Sequence, residues 1–557
     1  MVGYNAQTVI LERIPDLANG DASLESVEVR AGDLIVDADG MLTTLVEGVR
    51  YLPGGCRETS CAAVYSPSQT GSISVMMDQL AVRFKLLDGL SWSDGTPLTM
   101  QDSRYSFEVA QALFPQVRAD LIQHTDSYKA LDERSLEWRG VPGYLDPSYP
   151  TNFFQPLPQH AWQDIPAETL AEDELSARQP IGWGAYVIDE WVAGDHITLT
   201  KNESYFRSTD GLPYFDHLVF RFPANGVEAL AALQAGECDL IDEAPADYYP
   251  QDGLRQVQDS GDVTIFYEPD TAWEQLAFGI LPSDPGMPAF FGLKEVRQAA
   301  ALCIDRQRIV DALSPAGSQV MHSFIPGSHP LFNPDAAQYA YDPAAGANML
   351  QAAGWVDLDN DPATPRQALG VPGVLDGTSF QVELLALDNP ERSLVAGMLR
   401  DYLAQCGLEV NIRSLPAEEL FAPGPDGAVF GRRFNLAQYG WPASPQPACE
   451  LFTTAEIPGP YPDFPKGWGG ANASGYSRLE YDQACQQART SLPDDALYQS
   501  SHRQTQAIFS EDLPALPLYS RFRLILTRAD ICNLLPDPSA ESSLWNLEFL
   551  KYADGCT

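Results

Sequence analysis

The stretch Val82 to Glu108, VRFKLLDGLSWSDGTPLTMQDSRYSFE, constrains the fold more than any other part of the chain. Val82, Phe84 and Leu86 alternate as on a half-buried strand. Asp88-Gly89 and Asp94-Gly95 are turn dipeptides, and Thr99 with Asp102 three residues on opens a helix as a capping box. The order is strand, turn, turn, capped helix, and Trp92 is placed to plug the turns as scaffold.

Further segments keep mixing the two periodicities. Gly184 to Tyr205 reads as a β-hairpin turning at Ala193-Gly194-Asp195, with another strand at His217 to Phe222. Phe380 to Leu387 is β-rich, residues 391 to 406 carry a helical apolar stripe ending before Gly407, and Leu408 to Ile412 alternates again. That is a β-α-β unit, built most simply as a right-handed crossover in a mixed sheet. No repeat is visible, and 42 Gly and 44 Pro spread along 557 residues mark many turns in about three to four domain-sized units.

Charge narrows the partners. Against 34 Lys plus Arg stand 76 Asp plus Glu, a formal charge of −42, which repels phosphate backbones and anionic headgroups and argues against nucleic acid. No apolar run approaches the roughly 20 residues of a membrane span. The opening residues MVGYNAQTVILERIPDL lack the basic and apolar regions of a secretory signal, so the N-terminus is expected to be trimmed if the protein works outside the cytoplasm.

The nine cysteines favour such a location, because none forms a C-x-x-C pair or sits at zinc-finger spacing to a His. Bridges are expected at Cys56–Cys61 and Cys532–Cys556, with Cys449–Cys485 a third pair, in an oxidising compartment. Cys303 and Cys406 lie on the apolar stripes of two helices; they read as small buried hydrophobes, or as partners if the helices are neighbours. Cys238 is left over.

Four landmarks in order resemble the large extracytoplasmic solute-binding proteins of ABC importers, family 5, the oligopeptide-, dipeptide- and nickel-binding type. They are the 84–108 stretch, GWGAYVIDEWVAGDHITLTKNESYF at 182–206, KEVRQAAALCIDRQRIVDAL at 294–313 and AAGWVDLDND at 352–361. The resemblance runs from about residue 80 to the C-terminus. It implies an α/β, two-lobed periplasmic-binding-protein fold with mixed sheets, hinge strands and an extra third domain on the first lobe. Placed on this chain, lobe I comprises 1–20, 180–270 and the tail 521–557, the extra domain 21–179 and lobe II 271–520, with hinges near Asp270-Thr271 and Tyr519-Ser520. Family members usually begin with a strand and an E-P-x-x-L-D-P segment; nothing before Val82 matches it, so the first strand of one lobe is expected to be missing. Residues 20–80 carry instead a long acidic stretch with the Cys56/Cys61 loop.

The resemblance also implies a site. Tyr439-Gly440-Trp441-Pro442-Ala443-Ser444 matches the family's G-W-x-A-D strand end, where the Asp pairs with a peptide's α-ammonium; here Ser444 replaces it, and Pro442 has no N–H to donate. An unpaired buried ammonium is costly, so a neutral solute or a peptide anchored elsewhere becomes the better ligand. Trp273, Tyr439, Trp441 and Trp468 fall around the expected cleft, and Glu274 can replace the missing carboxylate, although a solvated side chain is its default reading.

No metal and no cofactor are expected. Asp357, Asp359 and Asp361 are spaced like calcium-loop ligands, but Pro362 and Ala368 stand where Gly and Glu are needed. His322 and His329 share a loop without metal-ligand spacing, which disfavours nickel. No nucleophile elbow, P-loop or dinucleotide fingerprint occurs. The expected function is capture of a peptide or other small solute between two lobes and its delivery to a membrane permease, by a monomeric, periplasmic or extracellular protein, lipid-anchored in its precursor. The alternatives are an oligosaccharide-binding member of the family and a hydrolase with an unrecognised carboxylate pair among the 76 acids.

Overall fold

The computed structural model describes residues 2–71, 73–113, 118–166, 169–245, 251–313, 319–359, 361, 364–442 and 446–553. Ser444 and Cys556, expected to line the site and to close the tail bridge, lie outside the described residues, as does Pro362.

The first sheet joins β1 (Ala22–Arg30), β2 (Ser74–Lys85), β3 (Thr125–Ala130) and β4 (Ser135–Gly140) in the antiparallel order β1-β2-β4-β3, with α1 (Met100–Leu113) between β2 and β3. Leu80, Val82 and Phe84 alternate into a core with Trp92 and Trp138. The Trp92 amide donates to the Thr96 carbonyl across the turn at 2.8 Å. At the start of α1 the Thr99 amide donates to Asp102 Oδ2 at 2.8 Å and the Gln101 amide to Thr99 Oγ1 at 3.3 Å, the reciprocal pattern of a capping box.

A second sheet is the hairpin β5 (Tyr186–Val192) and β6 (His196–Lys201) flanked by β7 (His217–Arg221), in the order β5-β6-β7. Helix α2 (Gly226–Gln234) leads from β7 to β8 (Leu240–Pro245).

The third and largest sheet begins with β8 and the 16-residue strand β9 (Val263–Phe278). Then come α3 (Lys294–Cys303), β10 (Gln381–Leu387), α4 (Pro390–Ala404), β11 (Glu409–Leu415), β12 (Leu436–Trp441), α5 (Leu479–Thr490), α6 (Ala496–Asp512) and the 14-residue β13 (Ala515–Arg528). The strand order is β8-β13-β9-β12-β10-β11, mixed because β10 pairs in parallel with both β11 and β12.

β9 and β13, about 50 and 45 Å long at the usual strand rise, each change neighbours along their length. Val263–Pro269 pair with Phe522–Arg528 beside β8, and Trp273–Ala277 pair with Ala515–Ser520 beside β12, with a register shift between. The parts beside β8, the start of β9 and the end of β13, pack on α2 through Leu230, Leu524 and Leu526. The parts beside β12, the end of β9 and the start of β13, are sandwiched. Leu276 and Phe278 meet α3 and α4 on one face, while Trp273 and Ala277 meet Phe509 of α6 and Tyr481 of α5 on the other. Leu276, Leu399 and Leu403 are fully buried, each burial contributing about 1.5–3 kcal/mol.

Local chemistry sets the ends of α4. The Asn389 side chain accepts from the Arg392 amide at 2.8 Å, Pro390 occupies the first turn, and Gly407 follows at φ 82°, a left-handed position that suits glycine.

Disulfides join Cys56–Cys61, Cys449–Cys485 and Cys303–Cys406. The last two thiols are therefore not inert hydrophobes: packing of α3 against the end of α4 brings them together. Among the described residues Cys238 is the free cysteine. Helix α5 also touches the first sheet's region, since Gln486 Nε2 donates to the Ala38 carbonyl at 3.1 Å and Gln487 Nε2 to the Arg57 carbonyl at 3.3 Å.

His502 on α6 is 2% exposed, sits edge-on to Tyr498, and has no hydrogen-bond partner on either ring nitrogen. Burial, with a smaller contribution from His329, pushes its pKa down to about 4. Its unfolded value is near 6.5, so the unfolded chain takes up this proton first as pH falls. The neutral ring's contribution is complete above pH 6.5 and disappears toward pH 4, a change of about 3 kcal/mol. Urea unfolding between pH 7 and 4 is expected to show that extra loss in the native protein and not in His502→Gln; parallel pH curves for the two would refute it.

Candidate functional site

Strand pairing brings five of the expected site residues side by side. On β9 and β12, Trp273 lies opposite Trp441, Glu274 opposite Gly440 and Gln275 opposite Tyr439, and on the other side of β9 Glu274 faces Tyr519 of β13. Because side chains alternate along a strand, Glu274 and Gly440 share one face while Trp273, Tyr439 and Trp441 share the other.

The aromatic face is graded in depth. Trp273 is 1% exposed and packs edge-on against Phe509, so it is a core residue and shows no ring face to solvent. Tyr439 is also buried, with burial raising its phenol pKa, and its ring meets Phe421 and Trp441 at 5.9 and 6.0 Å. Trp441 is half-buried and continues this run of edge-on rings to Phe430 at 6.3 Å. Trp468 is likewise half-buried and lies against Gly424, a position that also abuts the Phe430 carbonyl. Trp441 and Trp468 thus present partly open rings, and Trp273 anchors the sheet beneath.

The opposite face holds a buried ion pair. Glu274 is 0% exposed, where a solvated side chain was expected. Arg392 Nε donates to Glu274 Oε1 at 2.7 Å and Arg392 Nη2 to Oε2 at 3.1 Å, a bidentate geometry. Burial alone would lower the Arg392 pKa, but the bonds to Glu274 outweigh it and raise it. Tyr519 donates its hydroxyl to Glu391 Oε1 at 3.0 Å, and burial together with the neighbouring carboxylates lifts its pKa well above the ordinary value. Gly440 lies against this pair: a Cβ there would come within 2.9 Å of Glu274 Oε2 and 3.5 Å of Arg392 Nη2. The carboxylate that was to replace the missing Asp is therefore already neutralised.

Arg392 and Glu391 were not singled out from the sequence, and Tyr519 entered there only as a hinge position. Arg392 and Glu391 looked like ordinary polar residues in the first turn of an amphipathic helix, and only the sheet's return brings Glu274 against them.

Asp359 and Asp361 are held by hydrogen bonds within their turn, while the Asp357 amide reaches out to Gln351 Oε1 at 3.3 Å. Thr364 Oγ1 donates to Asp359 Oδ1 at 2.9 Å and the Asp361 amide to the same oxygen at 3.1 Å. Among the described residues the sole metal-compatible cluster is Cys449, Glu450 and Cys485, whose two sulfurs are already joined as a disulfide. No helix among them is long and apolar enough to cross a membrane.

Comparison with known proteins agrees with this architecture. The oligopeptide-binding protein AppA of Bacillus subtilis is 25% identical over 469 residues, covering 80% of this chain and 77% of its own length. The peptide transport periplasmic protein SapA of Salmonella typhimurium is 25% identical over 444 residues, covering 78% and 72%. The solved structure of Bacillus subtilis AppA in complex with a nonapeptide superposes with a TM-score of 0.61 at 19% identity, over 94% of this chain and 93% of that one, and shows the same two-lobed fold. The family described as bacterial extracellular solute-binding proteins, family 5, matches residues 65–461, so the chain belongs to that family.

Proposed function

We propose that this solute-binding protein captures a short peptide between its lobes and hands it to an ABC permease, holding the peptide by ring stacking and main-chain contacts rather than by a free α-ammonium. The observation behind this reading is the state of Glu274. A carboxylate fully buried and bidentately bonded to Arg392 has no charge to offer an ammonium. The neighbouring strand end offers half-buried Gly440 and Trp441 instead. Similarity to peptide-binding relatives supports the ligand class. Lobe closure about the Asp270-Thr271 and Tyr519-Ser520 hinges then presents a new surface to the permease. The protein acts as a monomeric extracytoplasmic binder rather than a hydrolase.

Calorimetry with a peptide series tests this. Free-amino and N-acetylated forms of one peptide are expected to bind within about threefold of each other, and Trp441→Ala to weaken both by roughly 30-fold, the effect of losing a stacking anchor worth about 2 kcal/mol. A preference above about 100-fold for the free amine, or unchanged affinity in Trp441→Ala, would sink the assignment. Hydrolysis of any bound peptide would move the protein to the enzyme class.

A further inference from the structure

Arg118 makes no ion pair among the described residues, although the chain carries 76 Asp plus Glu. It precedes the five-residue helix Ala119–Gln123 with φ 54°, a left-handed conformation uncommon for any residue but glycine. Main chain and a ring fix its guanidinium instead. Nη1 donates to the Phe153 carbonyl at 3.0 Å and Nη2 to the Thr151 carbonyl at 2.8 Å, while the central carbon stands 4.7 Å from the centre of the Phe154 ring. That ring is firmly packed: Phe154 is buried against Phe107 and Tyr128, and its amide donates to the Tyr128 hydroxyl at 2.9 Å. A guanidinium offers five N–H donors in one plane, so Nε and one N–H on each terminal nitrogen stay uncommitted.

The side chain is open to solvent, yet desolvation by the surrounding protein lowers its pKa, and Tyr128, Asp146 and Glu541 offset this only in part. Exposure together with desolvation describes the floor of a hollow. Asp146 does not neutralise it, because its oxygens accept from the Asn152 side chain at 2.8 Å and the Ser148 amide at 2.7 Å.

Several parts of the chain meet around this hollow. Asp120, next along the short helix, pairs with Arg489 of α5 at 3.7 Å, and Glu541 belongs to the C-terminal tail. Tyr498 of α6 lies near Asp146 and donates its hydroxyl to Gln446 Oε1 at 2.7 Å, in the segment that follows Trp441. The uncommitted N–H groups therefore sit where the first-sheet region meets α5, α6 and the chain beyond that tryptophan.

We propose that Arg118 is a specificity-determining anchor that takes a carboxylate of the captured peptide, its C-terminus or an acidic side chain, in a bidentate pair. This rests on the peptide reading above and adds which charge of the ligand is read. Arginine's rigid fork matches a carboxylate, and the stacked, twice-bonded guanidinium is already oriented before the ligand arrives. With a formal charge of −42 the rest of the chain repels an anionic group, so a carboxylate is accepted only where such a cation meets it.

Calorimetry compares one peptide as free acid and as C-terminal amide, and with Glu or Gln at its final position. The native protein is expected to prefer the acid to the amide, or the Glu form to the Gln form, by about tenfold or more. The first contrast assigns the C-terminus and the second a side chain. In Arg118→Gln the deciding contrast is expected to shrink to within about threefold, and Arg118→Lys, which keeps the charge without the fork, to restore only part of it. The native comparison needs no variant, so it stands even where a substitution disturbs the 151–153 turn. Both contrasts below about tenfold in the native protein, or a contrast unchanged in Arg118→Gln, overturns the assignment. Weakening by Trp441→Ala would then leave the peptide reading standing, whereas binding of no peptide in any form overturns both.

Discussion

Arg392→Ala is expected to destabilise the lobe built on α3 to α6 by about 3–5 kcal/mol, because it strands Glu274, 0% exposed, as an uncompensated charge beneath Gly440. The magnitude comes from the asymmetry of buried pairs. The pair itself contributes little relative to an apolar replacement, since desolvating two ions consumes most of their attraction, but removing one partner leaves the full desolvation penalty of the other. The double variant Glu274→Gln with Arg392→Met is therefore expected to recover most of the loss. Urea unfolding followed by tryptophan fluorescence distinguishes the two, with midpoints compared within the lobe's own transition because a multidomain chain need not unfold in one step. A single variant less than about 1 kcal/mol below the native protein would mean that Glu274 is reached by water and not buried as described.

The bridge between Cys303 and Cys406 carries the second large effect. It spans 103 residues, and cross-linking a loop of that length removes unfolded-chain entropy worth about 4.7 kcal/mol at room temperature. Cys56–Cys61 spans only five, for which the same relation gives roughly 2 kcal/mol. The paired Cys303→Ala, Cys406→Ala variant should accordingly lose more stability than the paired Cys56→Ala, Cys61→Ala variant, by a margin of about 2–3 kcal/mol, and reducing agent should shift the midpoint of the first variant less than that of the native protein. Equal losses in the two double variants would show that loop length is not what sets the stabilisation here.

How much of this was visible in the sequence follows from the range of each interaction. The 82–108 stretch was legible because its signals are local: period-two apolar residues, turn dipeptides and a cap within three residues of its partner. The β10-α4-β11 unit was legible for the same reason, since Asn389, Pro390 and Gly407 mark the helix and Leu384 and Val410 mark the strands. The 303–406 bridge was only half legible; each cysteine's apolar stripe showed burial, but neither showed which helix lay opposite. Least legible was the Glu274–Arg392 pair. Nothing within ten residues of either side chain distinguishes it from a solvated charge, and the partnership exists only because β9 and α4 meet in the finished sheet. Family resemblance singled out Trp273 together with Trp441, and the two lie opposite one another in register, yet Trp273 is sealed by packing against Phe509 of α6 while Trp441 is half open.

The Cys449–Cys485 bridge ties the segment that follows Trp441 to helix α5, and α5 in turn holds Ala38 and Arg57 through Gln486 and Gln487. These links form a mechanical train. Opening this bridge is therefore expected to loosen not only the 446–452 segment but also the hold of α5 on Ala38 and Arg57, so that amide exchange around 38 and 57 rises in a Cys449→Ala, Cys485→Ala variant.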